Sequence, residues 1–335
     1  MNFVIDLGEE CAAMKIAFVG KGGSGKTTLS SLFIRHLVEQ GSPVLAIDAD
    51  INQHLAAALG AGEEESLTLP TLGERLPLIK EYLRGDNPRI ASAEAMIKTT
   101  PAGAGSRLIG VVEDNPIYRA CVREVGGARL MVTGPFTEAD LGVACYHAKV
   151  GAAELLLNHM IDRAGEYVVV DMTAGADSFA SGLFTRFDLT ALVCEPTLRS
   201  VGVYRQYRDY AADFGIDIAV IGNKICDEDD LAFLREHVGE NLLCWLDRST
   251  HVRAAERGEI RPVAELEPGN RRALATIRSA VDARTRDWAA YQRHAVEFHI
   301  RNAEAWAGVE LIDQIDPDFV PRPGVGSRLE DAVRG

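Results

Sequence analysis

The sequence predicts a doubly wound, mostly parallel α/β sheet flanked by helices, with a helical C-terminal extension. Three observations predict it. First, Gly20-Lys21-Gly22-Gly23-Ser24-Gly25-Lys26-Thr27-Thr28 fits G-x-x-x-x-G-K-[ST]. It follows a short buried strand at residues 15–19 and precedes a helical stretch at 29–40 that stops at Gly41. Second, two further apolar runs end in acids: residues 44–47 before Asp48-Ala49-Asp50, and 167–170 before Asp171. Strands that are apolar throughout are buried on both faces, as parallel strands are. Third, strand-like and helix-like stretches alternate after the glycine loop, the pattern of repeated βα units.

Each element then has a task. Glycines let the backbone of a strand–loop–helix turn curl, so that successive N–H groups face phosphate oxygens. The helix N-terminus adds its positive end. Gly22, Gly23, Ser24, Gly25, Lys26, Thr27 and Thr28 are therefore the expected cradle for a nucleotide's phosphates. Lys26 places a cation on the β- and γ-phosphates, and the Thr27 hydroxyl is a hard oxygen ligand for Mg²⁺. Asp48 and Asp50 sit at a strand's C-terminal end, the edge where α/β sheets bind ligands. Beside such a loop they would serve Mg²⁺ and position the attacking water. Asp171 is a second expected Mg²⁺ acid, and residues 172–175 after it read as a switch loop around Gly175.

The middle of the chain is less legible. Residues 61–128 read as an insertion covering one sheet edge, with an acidic loop at Glu63-Glu64-Glu65, a short helix at 76–83 and a Gly-rich connector at 101–105. Strands are expected at 129–133, 189–194, 218–221 and 242–245, and helices at 152–163, 200–214 and 250–257. Asn223, just past the third of those strands, offers a donor and an acceptor to an adenine edge, with Lys224 beside it. Residues 15–268 thus read as one domain, preceded by an extension at 1–14. Residues 269–315 read as a helical extension, with Trp288, Tyr291, Ala295, Phe298 and Asn302 as its packing stripe. His294 and His299 do not share a face and are not expected to hold a metal. Residues 316–335, with Pro321 and Pro323, read as an extended tail.

Composition bounds the function. The chain has 335 residues, 47% hydrophobic and 25% charged, with a formal net charge of −14. That charge argues against bulk affinity for nucleic acid or anionic membranes. Six cysteines without a C-x-x-C fit reduced thiols of a cytoplasmic protein. No apolar run approaches the ~20 residues of a membrane span.

Lys21, directly after the first glycine of K-G-G-x-G-K-T, resembles the deviant Walker A loop of the MinD/ParA/ArsA/NifH superfamily of P-loop ATPases. Residues 15 to about 260 are similar to that superfamily, and most of all to the CooC-type ATPases that mature the nickel site of carbon monoxide dehydrogenase. The similarity extends to Asp48-Ala-Asp50 with Asn52 and Leu55, the VVVDMTAG run, Glu195-Pro196-Thr197, Asn223-Lys224 and the Asp247 turn. The resemblance implies an ATPase that hydrolyses ATP to ADP and phosphate, using Mg²⁺, and forms a homodimer on ATP binding. Lys21 would reach the partner subunit's nucleotide, Asp50 would orient water, Asn223 and Asp247 would lie near adenine, and Lys224 would belong to the nucleotide site. It also implies a client protein, a metalloenzyme under assembly. Where CooC-type proteins carry a C-x-C, this chain has Cys145-x-His147, an N/S pair that would supply four ligands for Ni²⁺ or Zn²⁺ when two subunits meet. DMTAG stands here for the family's DTEAG. Trp245 replaces a proline before the adenine turn, either to stack on the base or to close the core. The rival readings are a MinD/ParA-like positioning or partition ATPase, and a kinase or synthetase on the same fold.

Overall fold

The structure is a computed structural model that describes residues 14–50, 52–135, 146–172, 176–306 and 309–322. In chain order it runs β1 (Lys15–Val19), α1 (Lys26–Glu39), β2 (Val44–Ala49), α2 (Leu55–Leu59), α3 (Glu63–Leu67) and α4 (Leu76–Arg84). Next come β3 (Ile109–Gly110), α5 (Pro116–Cys121), β4 (Arg123–Val125), β5 (Ala128–Val132), α6 (Tyr146–Asn158), β6 (Met160–Ile161) and β7 (Tyr167–Met172). The last third holds α7 (Ala176–Ser181), β8 (Leu189–Cys194), α8 (Leu198–Ala211), β9 (Ile218–Ile225), α9 (Glu228–Val238), β10 (Leu242–Asp247), α10 (Thr250–Ala255), α11 (Pro268–Asp282) and α12 (Trp288–Trp306).

Eight strands form one sheet in the order β10-β9-β8-β1-β7-β2-β5-β4. Neighbours are parallel except the edge strand β4, which is antiparallel to β5. The sheet is therefore doubly wound, as expected, with β1 near its middle between β7 and β8. Along β1 the side chains alternate between two cores, as the pleat requires. Ile16 and Phe18 face a layer holding Leu29, Phe33, Leu274 and Ile277. Ala17 and Val19 face another holding Leu155, Tyr204, Leu234 and Phe298. Burial on both faces is why these strands read as unbroken apolar runs.

Several elements depart from expectation. The helix expected over 152–163 ends at Asn158, and Met160–Ile161 instead pairs in parallel with Ile109–Gly110. β9 runs on through Gly222, Asn223 and Lys224, which read as a turn after the strand. The expected helical extension consists of two helices, separated before Trp288. Within residues 61–128, β4 supplies the edge strand. The tail beginning at Asp316 starts as a packed segment, because the Asp316 carboxylate accepts the Ala104 N–H at 2.9 Å and Pro321 is buried.

The two C-terminal helices lie on opposite faces of the sheet: Leu274 and Ile277 of α11 belong to one core and Phe298 of α12 to the other. Gly182 has φ +89°, and a Cβ there would overlap the Phe298 ring, so α12 packs directly on that turn. Where the chain crosses between faces, Arg286 meets Asp162 at 2.6 Å and also pairs with Asp188, while Lys15 lies 3.1 Å from Asp162. These side chains are essentially buried, and Arg286 and Lys15 also face the Trp288 ring. His299 is buried and bonds Thr99 Oγ1 and the Leu311 carbonyl, an ordinary core histidine. Among the described residues no helix is long and apolar enough to cross a membrane.

Candidate functional site

The glycine loop closes at the C-terminal end of β1. Gly23 and Gly25 have φ of +83° and +93°, a region that side chains disfavour. A Cβ at Gly25 would also overlap the Asn223 amide nitrogen. The Ser24 N–H bonds the Lys21 carbonyl at 3.0 Å, tightening the turn, and α1 starts at Lys26. The helix therefore begins three residues before the apolar stretch at Leu29, because loop and helix N-terminus are one device.

A cavity of about 570 Å³ opens over this loop. Gly22, Gly23, Gly25, Lys26, Thr27 and Thr28 line one side, and Asp50, Asn52 and His54 border it. Asn223, Lys224, Asp247, Arg248, Val252 and Arg253 line the remainder. The structure thus gathers most of the expected site. His54, Arg248 and Arg253 were not singled out by sequence; Arg248 directly after Asp247 and Arg253 five residues on were the available cue. Two expected loop residues stand apart from the lining. The Ser24 side chain is buried beneath the loop. Lys21 is only partly covered, and its ammonium reaches the Gly22 carbonyl at 3.4 Å.

The acids divide into distinct roles. Lys26 Nζ lies 2.5 Å from Asp50 Oδ2. Burial pushes the Asp50 carboxyl up, but the Asn52 N–H and the Lys26 ammonium outweigh it and hold it below its ordinary value. Asp48 is fully buried and faces Asp171 across the β2–β7 register. Burial first, then the Asp171 charge, raises it to about 8. Its oxygens accept the Asp50 N–H at 3.1 Å and the Leu55 N–H at 2.9 Å, so it shapes the loop that carries Asp50. That engagement differs from the expectation of Asp48 as an acid turned to Mg²⁺. Asp171 is buried, with the Thr27 hydroxyl as the side-chain hydrogen-bonding neighbour of its carboxylate. Burial raises it to about 6, eased by that hydroxyl and the Lys26 ammonium. A buried carboxylate beside a threonine hydroxyl is the kind of hard oxygen donor pair a divalent cation such as Mg²⁺ takes.

Asn223 and Lys224 are also tied to the glycine loop. The Asn223 amide donates to the Ser24 carbonyl at 2.7 Å. Lys224, at φ +61°, donates to the Gly23 carbonyl at 2.7 Å and pairs with Glu195 at 2.8 Å. Both hold the phosphate loop from behind while bordering the cavity. Trp245 neither stacks in the cavity nor closes the core: it is 38% exposed, with the Arg235 guanidinium 5.6 Å over its ring. Cys145, the side chain of His147 and the switch residues 173–175 lie outside the described residues. Among the described residues no group of three or more His, Cys, Asp or Glu side chains could hold a metal.

Comparison with known proteins agrees with this geometry. Residues 16–236 match the family of the CobQ/CobB/MinD/ParA nucleotide binding domain. The carbon monoxide dehydrogenase accessory protein CooC of Rhodospirillum rubrum is 32% identical over 247 residues, covering 73% of this chain and 87% of that protein. An uncharacterized ATP-binding protein of Methanocaldococcus jannaschii is 31% identical over 230 residues, covering 68% of this chain and 81% of that protein. In fold, a ParA family ATPase from Chlorobium tepidum superimposes with a TM-score of 0.54 at 15% identity, covering 81% of this chain and 98% of that one. A phosphate loop, its acids and its sheet order in one place, with a family match across most of the sheet, lead to one conclusion: the chain belongs to the CobQ/CobB/MinD/ParA family of nucleotide-binding proteins.

Proposed function

We propose that this protein is an ATP-dependent switch ATPase that dimerises around bound ATP, hydrolyses it to ADP and phosphate, and uses that cycle to bind and release a client. The observation that carries the reading is the division of labour between two lysines in one loop. Lys26 faces the cavity and is paired with Asp50, whereas Lys21 is absent from the lining of its own subunit's cavity. A partly exposed phosphate-loop lysine outside the lining of its own cavity is free to neutralise charge in another's, which supports a role in trans.

In the proposed cycle the loop N–H groups and Lys26 hold the β- and γ-phosphates. Thr27 and Asp171 would hold Mg²⁺, which when bound neutralises phosphate charge. Binding of the triphosphate draws Lys26 from Asp50 and leaves that carboxylate to orient a water. The water oxygen attacks the γ-phosphorus, the bond to the β–γ bridging oxygen breaks, and ADP leaves. Asp48 holds the Asp50 loop throughout. The client is proposed to be a metalloenzyme during assembly of its metal centre; the similarity to the CooC accessory protein supports this. Cys145 and His147 are the proposed ligand pair for a transferred metal ion.

Lys21→Ala tests the reading. ATP affinity should stay within about threefold of wild type while ATP-induced association is lost and hydrolysis falls about 100-fold, the scale of removing one charge stabiliser of the transition state. Equilibrium binding, sedimentation and phosphate release measure the three. Wild-type hydrolysis in this variant would contradict the trans role.

A further inference from the structure

We propose that Asn270, backed by Glu267, is the positioning residue that sets the base end of the nucleotide cavity, so that α11 governs how the site reads the base. This rests on the nucleotide-site reading above. The phosphate loop takes one end of the cavity, which leaves Leu246, Asp247, Arg248 and Ser249 facing the sugar and base. That wall hangs from β10, the edge strand, whose pairing with β9 shifts register at Leu242/Cys244 and again at Trp245/Asp247. A strand end with a broken ladder needs another support to stay in place.

Asn270 supplies it. Its side-chain oxygen accepts the Asp247 N–H at 2.8 Å, and its side-chain nitrogen donates to the Asp247 carbonyl at 3.2 Å. One amide thereby plays the missing neighbouring strand, as donor and acceptor to both backbone groups of one residue. Asn270 is 1% exposed, in the first turn of a helix whose Leu274, Ile277 and Val281 are fully buried. Glu267 extends the clamp to the next residues. It accepts from Ser249 Oγ at 2.6 Å, from the Thr250 N–H at 2.9 Å and from Thr250 Oγ1 at 3.0 Å, and its second oxygen takes Asn270 Nδ2 at 3.3 Å. A short side chain buried on a rigid helix fixes this wall to within the tolerance a base pocket needs.

The test compares affinities for ATP, GTP and inorganic tripolyphosphate in wild type, Asn270→Ala and Asn270→Asp. Tripolyphosphate occupies only the loop end. Asn270→Ala should weaken ATP about tenfold, move tripolyphosphate less than about twofold, narrow the ATP-to-GTP ratio, and raise KM more than it lowers kcat. Asn270→Asp keeps the acceptor but sets a second carboxylate beside Glu267; adding Glu267→Gln should recover part of the loss. Unchanged ATP affinity in Asn270→Ala overturns the proposal. So does an equal fall for ATP and tripolyphosphate, which marks a general structural loss. If Asn270→Ala does not fold, Glu267→Gln alone carries the same comparison, with a smaller expected fall in ATP affinity and the same two contrary results. A wild-type protein that binds none of the three ligands overturns the nucleotide-site reading instead.

Discussion

Arg286→Ala is expected to destabilise the fold by about 3–5 kcal/mol, the range for breaking a buried ion pair by removing one partner. Arg286 is bidentate to Asp162, at 2.6 and 3.0 Å, and its Nε donates to Asp188 at 2.8 Å. Both carboxylates also serve the backbone: Asp162 accepts the Met14 N–H and Asp188 the Lys15 N–H. Without Arg286, Asp162 keeps the Lys15 ammonium while Asp188 is left with the Lys15 N–H, at the point where β1 begins and the chain passes from α11 to α12. The effect has a pH signature. Burial by itself would raise Asp162, yet Arg286 and Lys15 outweigh it and hold the carboxyl far below the ordinary range. A depressed folded value contributes stability that is complete above the unfolded carboxylate value of about 4 and is lost as pH falls toward the folded one. The gap between wild type and Arg286→Ala in urea or thermal melts should therefore be widest near pH 7 and narrow below about pH 4. A gap constant across that range would contradict the ionic account.

Lys26→Ala should abolish function through two losses of the same sign. The variant removes the buried cation proposed to face the phosphates, and it frees Asp50, whose carboxylate would then repel them. Charge-assisted contacts of this kind are worth about 1.5–3 kcal/mol each, so ATP affinity should fall about 100-fold or more by calorimetry, with no measurable hydrolysis. The double variant Lys26→Ala/Asp50→Ala should bind ATP more tightly than Lys26→Ala, because the repelling charge is gone. A double variant no better than the single one would show that the Lys26–Asp50 pair plays no part in binding.

The sheet and the phosphate loop were legible because each follows from a local rule. Residues 16–19, 44–47 and 167–170 are apolar runs because both faces are covered, and the loop spacing tolerates few alternatives. What escaped was set by residues distant in sequence. Lys15 reads as one more residue of an apolar strand until Asp162 and Arg286 are beside it. The bonds of Asn223 and Lys224 to the Ser24 and Gly23 carbonyls span the whole domain and leave no local signal. A domain end placed at residue 268 separated Glu267 and Asn270, which together hold the cavity wall. The break between α11 and α12 did carry a local cue. Asp287 accepts the Ala290 N–H at 2.9 Å, an N-cap without the Gly or Pro that usually flags such a stop.

Two copies of this chain are proposed to close on ATP. Asp50→Asn protein, in which the carboxylate proposed to orient water is gone, should hold ATP without consuming it. Light scattering of that variant with saturating ATP and Mg²⁺ should give twice the mass of one chain, and the mass of one chain when Lys21→Ala is added. A single-chain mass for Asp50→Asn with ATP demonstrably bound would contradict the claim.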